Sequence, residues 1–560
     1  AGNLGPQIDP KDIDYLEVMR GSYDAAYGDR TYGVFNVVPR TGFERNNDAE
    51  IVTSFGNFFQ TNDQINFGGH TNRFAYFAGL NGNRSNLGLQ TPTPQIIHDA
   101  ENGFGGFGSL IFNADPQDQL RFVTSLRRDY YQIPYDPDPN SSQNQQFDTS
   151  GLRDAQRESD AVLDFSWVRT IRSNMLLTVS PFYHYNSANY AGAPKDFPIS
   201  TTDDRVSNYG GGQATFSLSV AKNDAQIGFY GYKQRDSQLF DLIFNDQSNP
   251  NFSDRENASG SLVEEFVQDK FKLTPWLTLT GGVRQSHFSG ELTENATSPR
   301  AGIAVQIPHL NWVFHGFYGH FYQAPPLLTA SGPLLSFVTS QNLGFIPLRG
   351  ERDEEHQFGV TIPFRGWFLD ANNFQTRAEN FFDHNNVGAS DIFFPLTIRQ
   401  ALIRGWELTL RSPRLWRLGQ AHLAYSNQVA NGIGPITGGL IGASTPPDYF
   451  PLDHDQRHTL NVGFNVDLPW RVYAATNVYY GSGFTNGAFD PVTDPRRYLP
   501  GHTTFDVSLG KSFGERYSVS LNALNVANRH LLTDNSVTFG GFHWNDPREI
   551  YAEFRYRFHH

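Results

Sequence analysis

The stretch "REIYAEFRYRF", residues 548–558, alternates with a period of two. Ile550, Ala552, Phe554, Tyr556 and Phe558 share one face, and Tyr551, Glu553, Arg555 and Arg557 share the other. Successive side chains of a strand point to opposite sides, so this segment reads as a β-strand, greasy on one face and charged on the other. The same split recurs in "DAVLDFSWVR" (160–169), where Ala161, Leu163, Phe165 and Trp167 oppose Asp160, Asp164 and Ser166. It recurs again in "TTFDVSLGK" (503–511), with Phe505, Val507 and Leu509 opposite Thr504, Asp506 and Ser508.

A soluble sandwich would alternate in the same way, so the connections decide. Short links fall at 70–73, 114–119, 170–174, 221–224, 274–276, 308–311, 364–367, 413–419, 468–470 and 514–516. Longer polar or Pro/Gly-rich stretches lie between them, at 130–158, 187–206, 237–258, 323–350, 379–398, 430–455, 484–501 and 527–545. Strict alternation of short turns with long loops is the pattern of bacterial outer-membrane barrels. Ten turns join ten strand pairs, and the first and last strands bring the total to about 22, the number associated with plugged transporters. The expected fold is therefore an all-β transmembrane protein: one 22-stranded antiparallel barrel, with strands of roughly 9 to 11 residues. The barrel must close, because in hydrocarbon an unpaired strand edge leaves backbone donors and acceptors with no partner.

Composition agrees with this reading and excludes several others. No apolar run approaches the ~20 residues of a spanning helix. Phe (47), Tyr (25) and Trp (8) are abundant beside 52 Gly, as in short strands, tight turns and aromatic girdles. Absence of cysteine removes disulfides, thiolate metal sites and a Cys nucleophile. A net charge of −14 offers no footprint for nucleic acid. The opening "AGNLGPQIDP" lacks the charged and apolar regions of a signal peptide, as expected of a mature chain or a fragment.

Residues 17–42, "EVMRGSYDAAYGDRTYGVFNVVPRTG", have a different texture from the strands that follow. Ile13, Tyr15, Glu17, Val18, Met19, Arg20 and Gly21, then Tyr27 and Gly28, then Gly33, Val34 and Asn36 resemble, at matching spacing, the end of the plug domain of TonB-dependent receptors. "RGSYDAAYG" lacks the usual proline, and "VVPRTG" replaces the customary Thr-Lys ending. Six further stretches follow in family order: "SPRAGIAVQIPHLNWVFHGFYGHFYQAPPLL" (298–328), "LRGERDEEHQFGV" (348–360), "ALIRGWELTL" (401–410), "LDHDQRHTLNVG" (452–463), "LNALNVAN" (521–528) and "PREIYAEFRYRF" (547–558). The resemblance implies a partial N-terminal plug segment, the C-terminal remnant of a plug at 1–45, in or near the lumen, with a 22-stranded barrel at 46–558 and a tail or tag remnant at 559–560. It implies a multi-pass protein of the cell outer membrane with no enzymatic activity and no cofactor. Its expected task is uptake of a scarce large ligand, with a ferric siderophore as first choice, by energy-coupled plug rearrangement. The expected partners are the TonB complex, through a TonB box upstream of this chain, outer-membrane lipid or lipopolysaccharide, a small chelate or nutrient, and a surface lipoprotein. A passive channel, or a barrel anchoring a cell-surface complex, are the alternatives.

The resemblance places Glu17 and Arg20 at plug positions that pair with wall charges, with Arg404 and Glu407, or Glu354 and Glu355, as candidate partners. It also makes Phe558 the terminal aromatic read by barrel-assembly machinery. Loop aromatics with large faces and polar tips are the candidate ligand contacts: Tyr130, Tyr131, Tyr135, Phe240, Phe393, Phe394 and Tyr449. "DHDQRH" (453–458) matches a family strand entrance better than a metal site, and "GFGGFG" (103–108) reads as a glycine-rich strand, with no helix after it to cradle phosphate.

Overall fold

The closing strand Glu549–His559 pairs antiparallel on one side with Tyr517–Leu524 and on the other with the first wall strand, Asp48–Gly56. Tyr551 stands opposite Gly56 and His559 opposite Asp48, and this seam closes the sheet. The computed structural model describes residues 8–147, 153–194, 196–327, 348–386, 393–438, 448–536 and 541–559. Twenty-two antiparallel strands form the barrel, and a two-residue strand, Phe450–Pro451, pads the rim beside Gly419–Gly438. None of the described helices is long and apolar enough to cross a membrane.

The alternation seen in the sequence becomes an inside and an outside. Ile550 and Phe554 are about two-fifths exposed on the outer surface. Arg555 and Arg557 turn inward to Glu50, whose carboxylate accepts from Arg557 Nη2 at 2.9 Å and from Arg555 Nη1 at 3.3 Å. Elsewhere the outer face carries Leu80, Phe104, Ile227, Leu509 and Leu521, all more than half exposed, as lipid contact requires. Buried positions instead include many Asp, Glu, Ser and Gln side chains.

All ten expected short turns lie between consecutive strands. Strand length departs from expectation. The strands Ile199–Val220, Asn223–Phe244 and Phe252–Thr274 run to 22, 22 and 23 residues, twice what the membrane needs. Beyond the hydrocarbon the ladder continues into water, because each added pair still satisfies two backbone groups. The loops expected at 187–206 and 237–258 therefore shrink to 192–198 and 245–251. Three further loop-end links, at 57–60, 86–100 and 290–292, complete the circuit.

Before the barrel, Ile13–Met19 and Val34–Pro39 form a separate two-stranded hairpin. Tyr15, Leu16, Val18 and Phe35 on it are 48 to 68% exposed, so little packing holds it. A lone two-stranded hairpin is marginal in water. Its anchorage comes from the segment joining its strands.

Candidate functional site

That joining segment, residues 20–33, crosses from the hairpin to the barrel wall. Two wall arginines grip it by its backbone. Arg300, on the strand Thr293–Ile307, donates through Nη1 to the carbonyls of Tyr23 (3.2 Å) and Tyr27 (2.9 Å) and contacts that of Asp24. Arg284, on Leu277–Ser289, donates to the carbonyls of Ala25 (3.0 Å) and Ala26 (3.1 Å). Only arginine presents so many donors on a rigid fork, which suits it to a row of carbonyls. Arg284 is 2% exposed, and its charge is met by the fully buried Glu264, Nη2 to Oε2 2.5 Å, with Ser286 donating to the other carboxylate oxygen at 2.6 Å. Arg300 lies over the rings of Tyr23 (5.0 Å) and Phe321 (4.4 Å).

Side contacts complete the clamp. Ser22 N–H donates to Glu355 Oε1 (3.0 Å), its hydroxyl meets Gln357, and Ala26 N–H donates to Gln268 Oε1 (3.2 Å). Asp29 accepts from Tyr232 OH (3.0 Å) and from Ala324 N–H (2.9 Å), and the Tyr32 hydroxyl lies 2.9 Å from Glu351 Oε2. At two glycines a side chain would force a neighbouring wall residue to move. A Cβ on Gly21 would overlap the Glu355 carboxylate, and one on Gly28 would fall inside the Arg284 guanidinium.

Of the two expected switch charges, Arg20 reaches the wall: Nη1 is 2.6 Å from Glu407 Oε1, one of the candidate partners. Its side chain is 62% exposed, so the pair adds little stability. Glu17 makes no hydrogen bond or ion pair with a wall side chain among the described residues. Its register partner across the hairpin is Asn36, and the Asn36 amide donates to its carboxylate at 2.7 Å. Arg284, Arg300 and Glu264 were not singled out in the sequence, because inward-facing polar residues recur on every strand.

The ligand-contact candidates divide. Tyr131 packs with the cluster of Ile133, Tyr190, Phe240 and Leu242 under the loops, and its hydroxyl donates to Glu158 Oε1 at 2.6 Å. Tyr135 is buried with the Arg153 guanidinium 3.9 Å above its ring, and Tyr130 carries Arg157 at 5.6 Å. Phe240 has no exposed surface and packs in the same cluster, on the part of its strand that runs past the expected length. Tyr449 is more than half exposed. Phe393 and Phe394 begin a barrel strand, but their side chains lie outside the described residues. Phe558 stacks on Tyr556 with ring centres 5.4 Å apart.

"DHDQRH" contributes to a cluster at the loop end. His454 Nε2 lies 3.1 Å from Asp534 Oδ2, and His543 Nδ1 lies 4.0 Å from the same oxygen. Burial opposes a charged His454, but Asp534, Asp453 and Asp383 outweigh it and raise its pKa above the usual value. Among the described residues no group of three or more His, Asp or Glu is arranged to hold a metal ion.

Comparison with known proteins bears on this geometry. The family model described as "TonB dependent receptor-like, beta-barrel" matches residues 132–526. Among solved structures the chain is similar to the ferric yersiniabactin uptake receptor FyuA from Yersinia pestis, with 13% identity and a TM-score of 0.76 over 98% of this chain and 85% of that one. It is also similar to the FrpB iron transporter from Neisseria meningitidis (13%, 0.76, covering 98% and 88%) and to the copper transporter OprC (10%, 0.77, covering 98% and 86%). Comparison with curated protein sequences found no match.

Proposed function

The chain belongs to the TonB-dependent receptor family, and we propose that this member imports a scarce large ligand, a ferric siderophore in the first instance, by energy-coupled rearrangement of the segment clamped in its lumen. Its barrel sits in the outer membrane, where there is no ATP and no useful ion gradient, so work must be supplied by the coupling complex that the family uses. On this reading residues 1–45 act as the C-terminal part of a plug and residues 46–558 as the barrel around it. Arg20 with Glu407 serves as a weak, exposed contact that breaks readily, while Arg284 and Arg300 hold the segment in register. Phe558 serves as the assembly signal. Tyr130, Tyr449 and the rim beside His454 are the proposed first contacts for the incoming ligand.

The observation that carries the proposal is the clamp: five backbone carbonyls of one segment are held by two buried wall arginines. Such a grip is strong as a whole yet made of separate hydrogen bonds, each net worth about 1 kcal/mol, so a pull can undo it stepwise. The test is uptake of iron-55 presented as ferric siderophores by cells carrying this protein, with and without the coupling complex. Uptake that needs the complex supports the proposal. Equal uptake without it indicates a passive channel and overturns the proposal.

A further inference from the structure

Two adjacent short turns repeat one unusual feature. In Leu415–Trp416–Arg417–Leu418 the Leu418 N–H donates to Leu415 O (2.9 Å), and in Pro469–Trp470–Arg471–Val472 the Val472 N–H donates to Pro469 O. Both central residues of both turns have left-handed backbones, with φ of 49° and 63° in the first and 61° and 58° in the second. Hairpins of this kind favour Asn-Gly, and a bulky Trp at positive φ is a costly choice. The two indoles gain no packing in return, since Trp416 is 79% and Trp470 83% exposed. Residues held in strained, unpacked positions point to something outside the chain that they meet.

The surroundings say what that is. The turns of residues 363–368, 411–419 and 467–472 follow one another around the barrel. Together they carry Arg365, Arg411, Arg414, Arg417 and Arg471, all exposed, against the single acid Asp467, in a chain whose net charge is −14. Arg365 and Arg411 lie over the rings of Phe364 and Phe368 at 5.3 and 5.0 Å, so their charges sit where the apolar wall ends. Arg414 is paired with Asp467 at 2.5 Å, and Asp467 N–H donates to Leu418 O (2.7 Å), tying the two Trp-Arg turns together. Phe364 is 61% exposed beneath them. This is the short-turn end of the barrel, which faces the phospholipid leaflet of the outer membrane.

We propose that this sector is a docking surface for anionic phospholipid headgroups of the periplasmic leaflet, with Trp416 and Trp470 seated at the interface and Arg417 and Arg471 on the phosphates. Indoles prefer the headgroup level, and clustered arginines beside a bilayer select anionic lipid. The surface fixes how deep this side of the barrel sits and is independent of what the protein transports.

The test is native mass spectrometry of the full chain, released from detergent in equal mixtures of phosphatidylglycerol and phosphatidylcholine. The wild type should retain the anionic lipid preferentially. The double variant Arg417→Gln/Arg471→Gln should lose about 30-fold of that preference, while Lys222→Gln, on a turn elsewhere around the rim, should leave it unchanged. A second variant, Trp416→Gly/Trp470→Gly, relieves the left-handed backbone; it should melt no lower than wild type and still bind less anionic lipid. Equal retention of both lipids by the wild type, or a preference that survives both double variants, overturns the proposal.

Discussion

Arg284 shows how one residue can carry two obligations. It is fully desolvated, its charge is balanced by Glu264 through Nη2, and Nη1 donates to the carbonyls of Ala25 and Ala26. Replacing it by Met leaves Glu264 buried without a cation, a loss of about 3–5 kcal/mol by analogy with broken buried pairs. Arg284→Met should therefore lower the thermal midpoint of the barrel and expose residues 20–33 to protease. Arg284→Lys keeps the charge but not the fork, and should restore the midpoint more than the protection. Asp99, in the loop between Phe74–Ser85 and Glu101–Asn113, offers a pH test. Burial pushes its carboxyl up to about 7, although Leu89 N–H donates to Oδ1 at 2.8 Å. A carboxyl raised in the folded state binds a proton that the unfolded chain has released, so stability falls as pH climbs from near 4 to about 7. Asp99→Asn removes that cost. The variant should match wild type below pH 4 and exceed it increasingly up to pH 8, by about 4 kcal/mol at most. A variant less stable than wild type at pH 8 would show that Asp99 is held as a charged acceptor instead.

At the scale of elements, what the sequence discloses depends on whether a feature leaves a local mark. Short turns do, since "FRGW", "LPW" and "GER" break the alternation within a few residues, and each lies where expected. Strand ends above the membrane do not, because "TTDDRVSN" (201–208) and "QLFDLIF" (238–244) pair in water and carry no lipid-facing face to betray them. The segment before the barrel stood out through the spacing of its glycines and Arg20, but its hairpin form did not. Its grip was hidden, because the carbonyls of Tyr23 to Tyr27 belong to no particular side chain. Gly28 connects the two levels. Gly28→Ala drives a methyl into the Arg284 guanidinium, so residues 20–33 should become protease-sensitive while the barrel keeps its heat-resistant mobility on gels. A protected segment in that variant would show that Arg284 can move aside without loosening the clamp.

For the whole molecule, the closed wall and the held segment have opposite mechanical characters. The wall is a continuous ladder in which opening one strand pair breaks many bonds at once, whereas the segment hangs on contacts that separate one by one. The number of strands and the closure were legible from turn alternation, because each strand must find two neighbours. The identity of the wall residues that hold the segment required coordinates, because partners such as Ser22 and Gln357 lie 335 positions apart in the chain. That separation, in a protein without cysteine, supplies the most direct measurement of whether the segment must leave the wall for transport. Ser22→Cys/Gln357→Cys introduces two thiols near one contact, and joining both through disulfides to a short bis-methanethiosulfonate linker ties segment to wall. Uptake of iron-55 ferric siderophore should fall to background in the cross-linked variant and return on reduction, with surface binding unchanged throughout; uptake that continues at the wild-type rate while the cross-link is intact would contradict it.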